Sequence, residues 1–125
     1  MNLCIEAIRN DPNIPIGQKT LIDKALPKPF CFNKKKVKAI VMGADPSNFS
    51  NHGSTVFLDF VFGIGSDDSR YFRDILKNLN QVGLHLEHIY VQNLVRNYMP
   101  DETGKSKHWE IFADKWVDGL KVELH

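Results

Sequence analysis

A carboxylate and an amide each follow an apolar stretch of this sequence, and together they could form one ligand site. Asp45 comes two residues after Gly43, where the run Ala39–Met42 stops, and Pro46 restricts its backbone. Asn93 lies near the end of a second apolar run. A fixed carboxylate can orient a water molecule, while an amide offers a donor and an acceptor to the edge of a planar heterocycle. These residue types therefore favour a site for a planar, polar ligand.

Each of these residues also has an ordinary structural interpretation. Asp-Pro is common in turns, so Asp45 could belong to a turn or a helix cap, and Asn93 could bond to backbone at a strand end. Gly43 would allow close backbone approach to a ligand, and the hydroxyl of Ser47 adds a polar group. Local sequence leaves both interpretations open, so the decision depends on whether the fold brings these residues together.

Two strands and two longer helices must position the polar residues. The run from 37 to 43 is apolar and ends at glycine, as is typical of a strand buried on both faces of a parallel sheet, and residues 88–95 form a second such run. Apolar spacing predicts helices over 69–84 and 107–120. The order strand, helix, strand, helix predicts an α/β fold, a three-layer sandwich around a mostly parallel sheet.

This topology gives a reason to expect one shared crevice. Right-handed crossovers place the carboxyl ends of parallel strands at one edge of the sheet, where open α/β folds bind ligands. Asp45 and Asn93 are therefore expected to face the same crevice. The later helix carries Trp109, Phe112 and Trp116 on one face, and this aromatic stripe is predicted to lie in the hydrophobic core.

The length of the chain, 125 residues, predicts a single domain over 1–125. Within it we expect an N-terminal helical segment at 1–36 and an α/β core at 37–120. Short helices are expected near 3–8 and 18–26, where apolar residues recur at helical spacing between prolines.

Charge and cysteine usage exclude few function classes. The net charge of +1 gives no overall signal for nucleic-acid binding. The densest basic patch, Lys34, Lys35 and Lys36, is either a solvated approach to a strand or a phosphate contact. Two cysteines without metal-like spacing, no signal peptide and no apolar run of membrane length favour a cytoplasmic protein that does not enter a membrane.

Two further stretches carry weak signals. The glycines within 63–66 could suggest a phosphate loop, but the dinucleotide and P-loop patterns are incomplete, so a turn is favoured. His85 and His88 flank Glu87, which could suggest a metal site. They fall in a helix-to-strand turn and no third ligand is placed, so surface histidines are favoured and no metal is predicted.

Three stretches taken together resemble the uracil-DNA glycosylase superfamily. "VMGADPS" resembles its first motif, in which a strand runs into a Gly-x-(Asp/Asn/Glu)-Pro loop. "NHGSTVFLDFVFG" follows where the family carries a His-Gly segment and a pocket aromatic. "IYVQNLVRNYMPDETGKSKHWEIFADKW" resembles the strand with the base-reading asparagine, its loop and the next helix. The resemblance covers about residues 37 to 117, and it rests on the order and spacing of short motifs.

The resemblance implies a role for each candidate residue. Asp45 would orient the hydrolytic water, and Asn93 would bond the pyrimidine edge. Phe57 would stack on the base, although Phe60 or Phe62 could serve because this segment is longer than in the classical enzymes. The loop backbone would cradle the flipped nucleotide. It would do so through Gly43, Ala44 and Ser47, with Lys34, Lys35 and Lys36 as candidate contacts to the nucleic-acid backbone. The implied partner is DNA, and no metal or organic cofactor is required.

Departures from the family pattern narrow this expectation. No late His-Pro-Ser loop is present, the last strands of the family sheet are not evident, and Ser47 and Asn48 replace the usual aromatic and histidine. We therefore expect a divergent, truncated member with weak or no base-excision activity. An uncovered sheet edge could pair with a second copy. The alternatives are a non-catalytic module that binds nucleic acid or nucleobases, and an assembly domain that uses the open edge.

Overall fold

The computed structural model describes residues 2–46, 56–65, 70–101 and 103–123. It is a small α/β protein with a mixed sheet, which confirms the α/β character that the sequence predicts. Within these ranges, three α-helices and three β-strands are joined by turns and short 3-10 segments. In chain order, the elements are α1 (Leu3–Asn10), β1 (Phe30–Cys31), β2 (Ala39–Gly43), α2 (Arg70–Asn80), β3 (Ile89–Asn93) and α3 (Trp109–Glu123).

The three strands form a mixed sheet in the order β1-β3-β2. β2 and β3 run parallel, in a register that pairs Ala39 with Ile89 and Gly43 with Asn93. β1 runs antiparallel to β3, with Phe30 opposite Val91. The parallel pair that the sequence predicts is therefore present. The segment 1–36, predicted as helical, also contributes the antiparallel strand.

One face of the sheet packs against α2. Ile89 and Val91 point to this face and are fully buried, because α2 places the apolar stripe of its own surface over them. The short turn that precedes the helix adds Val61 and Ile64 to the same cluster. The helix contributes Phe72, Ile75, Leu76 and Leu79.

A second hydrophobic cluster holds α1 against α3. The side chain of Asn2 accepts a hydrogen bond from the N–H of Cys4 at 2.9 Å and caps the first turn of α1. Gly119 of α3 lies directly beside the sulfur of Cys4, so the two helices approach closely there. The buried members of this cluster are Ile5, Ile8, Ile14, Ile22, Val95, Met99, Phe112, Ala113 and Trp116.

The other face of β2 is largely uncovered. Ile40 is 65% exposed and Met42 is 51% exposed, although both alternate with half-buried residues of the same strand. A groove of about 310 Å³ runs along this face between the strand and α3, and Trp116 and Leu120 form its far wall. Among the described helices, none combines the length and the apolar character needed to span a membrane.

The prediction of a helix over 18–26 is wrong. A 3-10 segment covers Ile16–Lys19, and turns follow it. A helix this short is marginal in water, so tertiary contacts decide its conformation. Here Lys19 Nζ bonds the carbonyl oxygens of Arg9 and Asp11, each at 2.8 Å, and Ile22 is buried in the cluster between α1 and α3.

Candidate functional site

The parallel register brings the two predicted polar loops together. Gly43 and Asn93 are partners at the carboxyl ends of β2 and β3. Beyond the strands, the N–H of Leu94 bonds the carbonyl of Gly43 at 2.8 Å, and the N–H of Val95 bonds the carbonyl of Ala44 at 2.9 Å. These bonds extend the ladder past the strand ends, so the loop that carries Asp45 starts beside Asn93.

Asn93 is buried, with 4% of its surface exposed. Its backbone N–H donates to the Oε1 of the preceding residue, Gln92, at 2.9 Å. The pairing of β1 with β3 ends at Phe30 and Val91, two residues before Asn93. The Gln92 side chain therefore takes the place of a strand partner for the Asn93 N–H. The buried amide of Asn93 thus sits at a strand end where the neighbouring side chain satisfies the Asn93 N–H.

Phe62 lies against this pair. A Cβ at Gly43 would meet both the Oδ1 of Asn93 and the ring of Phe62, whose Cζ would be 2.5 Å away. Phe62 has a left-handed backbone (φ 58°, ψ 13°), which is rare for a bulky residue and tends to occur at functional sites. Its ring also contacts Phe72 of α2, with ring centroids 6.0 Å apart. The Phe62 ring and the Asn93 amide therefore both lie against the backbone of Gly43.

Asp45 is held by α3. The indole N–H of Trp109, the first residue of that helix, donates to Asp45 Oδ2 at 3.0 Å. Both side chains are half-buried, and Pro46 next to Asp45 is buried. The carboxylate is thus fixed from outside its own loop, by a residue of the stripe that the sequence assigned to the core.

Phe57 lies in a different cluster. Its ring packs edge-on against Tyr98, with centroids 4.9 Å apart, and Lys24 Nζ lies 5.4 Å from its centre. The hydroxyl of Tyr98 accepts a hydrogen bond from the N–H of Leu58 at 2.6 Å. Burial raises the pKa of Tyr98. Phe57 is 51% exposed, whereas Phe62 is the aromatic of this segment that lies against Gly43 and Asn93.

The lysine run lies at the opposite end of the sheet. Lys34–Lys36 form a 3-10 turn before β2, and Lys36 Nζ contacts Glu87 Oε2 at 3.1 Å, just before β3. The hydrogen bond from Lys36 lowers the pKa of Glu87. The length of β2, about 15 Å at the usual strand rise, separates this turn from Asp45. The structure therefore does not bring the lysine run together with the predicted pocket.

A different lysine lies beside the segment that carries Phe62. Lys28 bridges to Phe60, and its carbonyl accepts a hydrogen bond from the N–H of Val61 at 3.0 Å. Lys28 lies two residues before Phe30, whose partner Val91 lies two residues before the end of β3. The segment that carries Phe62 is thus fastened to the chain beside the carboxyl end of β3.

The histidine pair is used structurally. The N–H of His85 donates to His88 Nδ1 at 3.1 Å, which closes the turn before β3. Across the described ranges, no group of three or more His, Cys, Asp or Glu side chains could hold a metal ion. Ser47, Ser66 and the His-Gly segment at 52–53 lie outside the described residues, while Ala44 is exposed at the mouth of the loop.

Comparison of this chain with known protein families, curated proteins and solved structures finds no match.

Two residues of this arrangement are not assigned by the sequence analysis. The sequence offers Phe62 only as an alternative to Phe57, and its one signal there is the following Gly63, which shares the left-handed conformation (φ 67°). Trp109 belongs to an apolar stripe, and periodicity gives no sign that its N–H reaches Asp45. Both assignments depend on long-range contacts that a single sequence does not reveal.

Proposed function

We propose that this chain is a uracil-DNA-glycosylase-like domain, a three-layer α/β sandwich with a short sheet. It binds a base extruded from DNA and hydrolyses its N-glycosidic bond slowly. The observation that carries the proposal is the convergence of Phe62, Asn93 and Gly43 at the carboxyl ends of two parallel strands, with Asp45 two residues beyond Gly43. An open α/β sheet binds ligands at this edge.

Each group has a chemical task in this reaction. The Phe62 ring offers a stacking face for the base, and the Asn93 amide offers a donor and an acceptor to its Watson–Crick edge. Asp45 orients water and stabilises positive charge that develops on the sugar. The hydroxyl of water adds to C1′, the C1′–N bond breaks with its electron pair moving to the base, and the proton released from water neutralises the departing base.

The expected rate is low. In the family that this sequence resembles, a late His-Pro-Ser loop supplies the histidine that stabilises the departing base, and this chain has no His-Pro pair in its sequence. The charge on the leaving base would therefore lack that support. The proposal includes the cytoplasmic setting that the sequence analysis favours, with Cys4 and Cys31 as free thiols.

Base release under single-turnover conditions tests the proposal. Single-stranded oligonucleotides that contain uracil or hypoxanthine are incubated with excess protein, and matched thymine and adenine strands serve as substrate controls. Slow release is expected from the native chain, and Asp45→Ala and Asn93→Ala should abolish it. The exposed residues Asp114 and Asn80 provide matched controls, Asp114→Ala and Asn80→Ala, which should keep it. Equal release by all four variants would refute the site, and fast release would refute the low rate.

Binding without release would identify a non-catalytic nucleobase-binding module. Fluorescence anisotropy with the same strands measures binding, whose salt dependence reports phosphate contacts. We place those contacts at Lys24, which lies over the Phe57 ring, and at Lys28, whose backbone bonds the segment that carries Phe62. Lys34–Lys36 remain the alternative that the sequence predicts. Lys24→Gln with Lys28→Gln should flatten the salt dependence more than replacement of Lys34–Lys36 by glutamine. If replacement of Lys34–Lys36 flattens the salt dependence more, DNA contacts the end of the sheet that carries Lys34–Lys36.

A second candidate function is self-assembly through β2. This strand lies at the edge of the sheet, and Ile40 and Met42 are more than half exposed on one face. Antiparallel pairing with a second copy, centred on Val41, would bring Ile40 of one chain beside Met42 of the other. Sedimentation should then show a dimer that Ile40→Lys disrupts and the exposed control Val82→Lys does not. A monomer at every concentration would rule out this candidate.

A further inference from the structure

Both tryptophans of the chain belong to α3, and both donate their indole N–H to a polar side chain that follows a strand. Trp109 donates to Asp45 Oδ2 at 3.0 Å, and Trp116 donates to Asn97 Oδ1 at 2.8 Å. Asp45 follows β2 and Asn97 follows β3. The two indoles are seven residues apart, close to two helical turns, so they project from the same side of the helix.

The two hydrogen bonds differ in what they do for their acceptors. Asn97 is fully buried, so without Trp116 its carbonyl oxygen would lose a partner inside the protein. Asp45 is half-buried, and water can solvate a carboxylate of that exposure. The Trp109 bond is therefore not needed to satisfy the charge. The bond instead fixes the orientation of the carboxylate. The indole N–H is a single donor on a rigid ring, and it holds Oδ2 at one position.

The body of α3 is itself immobilised. Phe112, Ala113 and Trp116 are buried in the cluster that α3 shares with α1. Trp109, at the start of this packed helix, therefore holds Asp45 in a fixed position relative to the core. The Asn93 side of the site is fixed separately by the strand register. The distance between carboxylate and amide thus depends on where α3 begins.

We propose that Trp109 is a positioning residue. Its indole N–H sets the orientation of the Asp45 carboxylate toward a base bound at the edge of the sheet beside Phe62 and Asn93. The role rests on the proposed function, because orientation of the carboxylate matters only if water or a developing positive charge faces it. A displacement of about 1 Å at a reacting group can reduce a rate about 100-fold. Loss of the indole donor is therefore expected to act on the chemical step and not on DNA binding.

The first test does not require any activity. In a chain labelled with ¹⁵N, the two tryptophans give two indole N–H resonances. Trp109→Phe removes one of them and so assigns both. Replacement of the charged acceptor in Asp45→Asn should move the Trp109 resonance and leave that of Trp116, whose acceptor is Asn97, in place. If Asp45→Asn moves neither resonance, the indole does not hold the carboxylate and the proposal is refuted.

The second test separates positioning from structural support. Single-turnover release by Trp109→Phe should fall about 10- to 100-fold while the Kd for the uracil strand stays within about twofold. Trp109→His, which keeps a ring N–H donor, should recover part of the rate. Trp116→Phe is the matched control, and it should lower the melting temperature more than Trp109→Phe while release at a temperature where it is folded stays near the native value.

The outcomes distinguish this proposal from the proposed function. If the native chain releases no base, the proposed function fails, and the positioning role in that reaction fails with it, even where the resonance comparison shows the bond. If the native chain is active and Trp109→Phe weakens binding and release equally, the residue is only structural. If Trp109→Phe is as active as the native chain, the carboxylate needs no external support.

Discussion

At the scale of single residues, Gly43 is the position on which the candidate site depends most. A Cβ there would collide with the Asn93 amide and the Phe62 ring together, so glycine is what allows the three residues to converge. The requirement is one of space, because the φ of Gly43 is not in the left-handed region that favours glycine. The residue with strained backbone is Phe62, which retains its conformation while wedged between Gly43 and Phe72.

Gly43→Ala should therefore lower the free energy of unfolding by about 1–3 kcal/mol, the usual cost of overpacking a filled space. It should also displace Phe62 and Asn93, and so weaken binding of a uracil strand. Denaturant unfolding and anisotropy measure the two effects. Gly17→Ala is the control, because nothing lies within 4 Å of a Cβ at Gly17. Equal stability of the two variants would contradict the tight convergence.

Sequence could predict Asp45 and Asn93 but not the aromatic residue. The two polar residues end apolar runs, and strand ends in parallel sheets meet at one edge. Phe57, Phe60 and Phe62 are equivalent in composition and spacing. The choice among them depends on a turn in which Phe62 and Gly63 both have positive φ, and no propensity scale places a phenylalanine there.

At the scale of elements, the crossing of α1 and α3 is governed by one small residue. Gly119 faces the sulfur of Cys4, so a methyl group at 119 and a sulfur at 4 compete for the same volume. Alanine is otherwise the better helix residue by about 1 kcal/mol. Whether a substitution at Gly119 raises or lowers the free energy of unfolding therefore depends on the size of the side chain at position 4.

A double-mutant cycle tests this crossing. In the Cys4→Ala background, Gly119→Ala should raise the free energy of unfolding by about 1 kcal/mol, because helix propensity is then unopposed. In the native background the gain should disappear or turn into a loss. Thermal or denaturant unfolding of the four chains gives the coupling energy. Additive effects would show that Cys4 and Gly119 do not meet.

The elements that sequence predicted well are those whose apolar pattern reflects burial. β2, β3, α2 and α3 lie inside the ranges predicted for them, except that α3 continues to Glu123. The strand β1 has only two residues and no periodicity to detect. It exists because Phe30 and Cys31 pair with the far side of β3. The segment near Leu21 failed as a helix for the related reason that its contacts with α1 are non-local.

At the scale of the whole molecule, one carboxylate joins the end of α1 to α3. Asp11 is 9% exposed, and its side chain accepts a hydrogen bond from the N–H of Asn13 at 2.8 Å. Lys115 Nζ of α3 lies 3.3 Å from its other oxygen. The Asn13 hydrogen bond, assisted by Lys115, holds the pKa of Asp11 below its ordinary value. Ionised Asp11 thus ties the N-terminal segment to the last helix.

This linkage predicts acid sensitivity. A carboxyl group whose pKa is lower in the folded chain stabilises the fold above its ordinary pKa of 3.8, and that stabilisation is lost as the pH falls through the folded value. The free energy of unfolding should therefore fall on acidification below about pH 4. Asp11→Asn should remove part of this dependence, and Lys115→Met a smaller part. A pH dependence unchanged by Asp11→Asn would contradict the role of this carboxylate.

The parallel register of β2 and β3 also bears on the order in which the chain is expected to fold. Every pair in it, from Ala39 with Ile89 to Gly43 with Asn93, joins residues separated by 50 positions along the chain. Contacts of such long sequence separation form late, after helices and local turns, because a large loop must close first. We therefore expect the point where Phe62 meets Gly43 and Asn93 to become native late in folding.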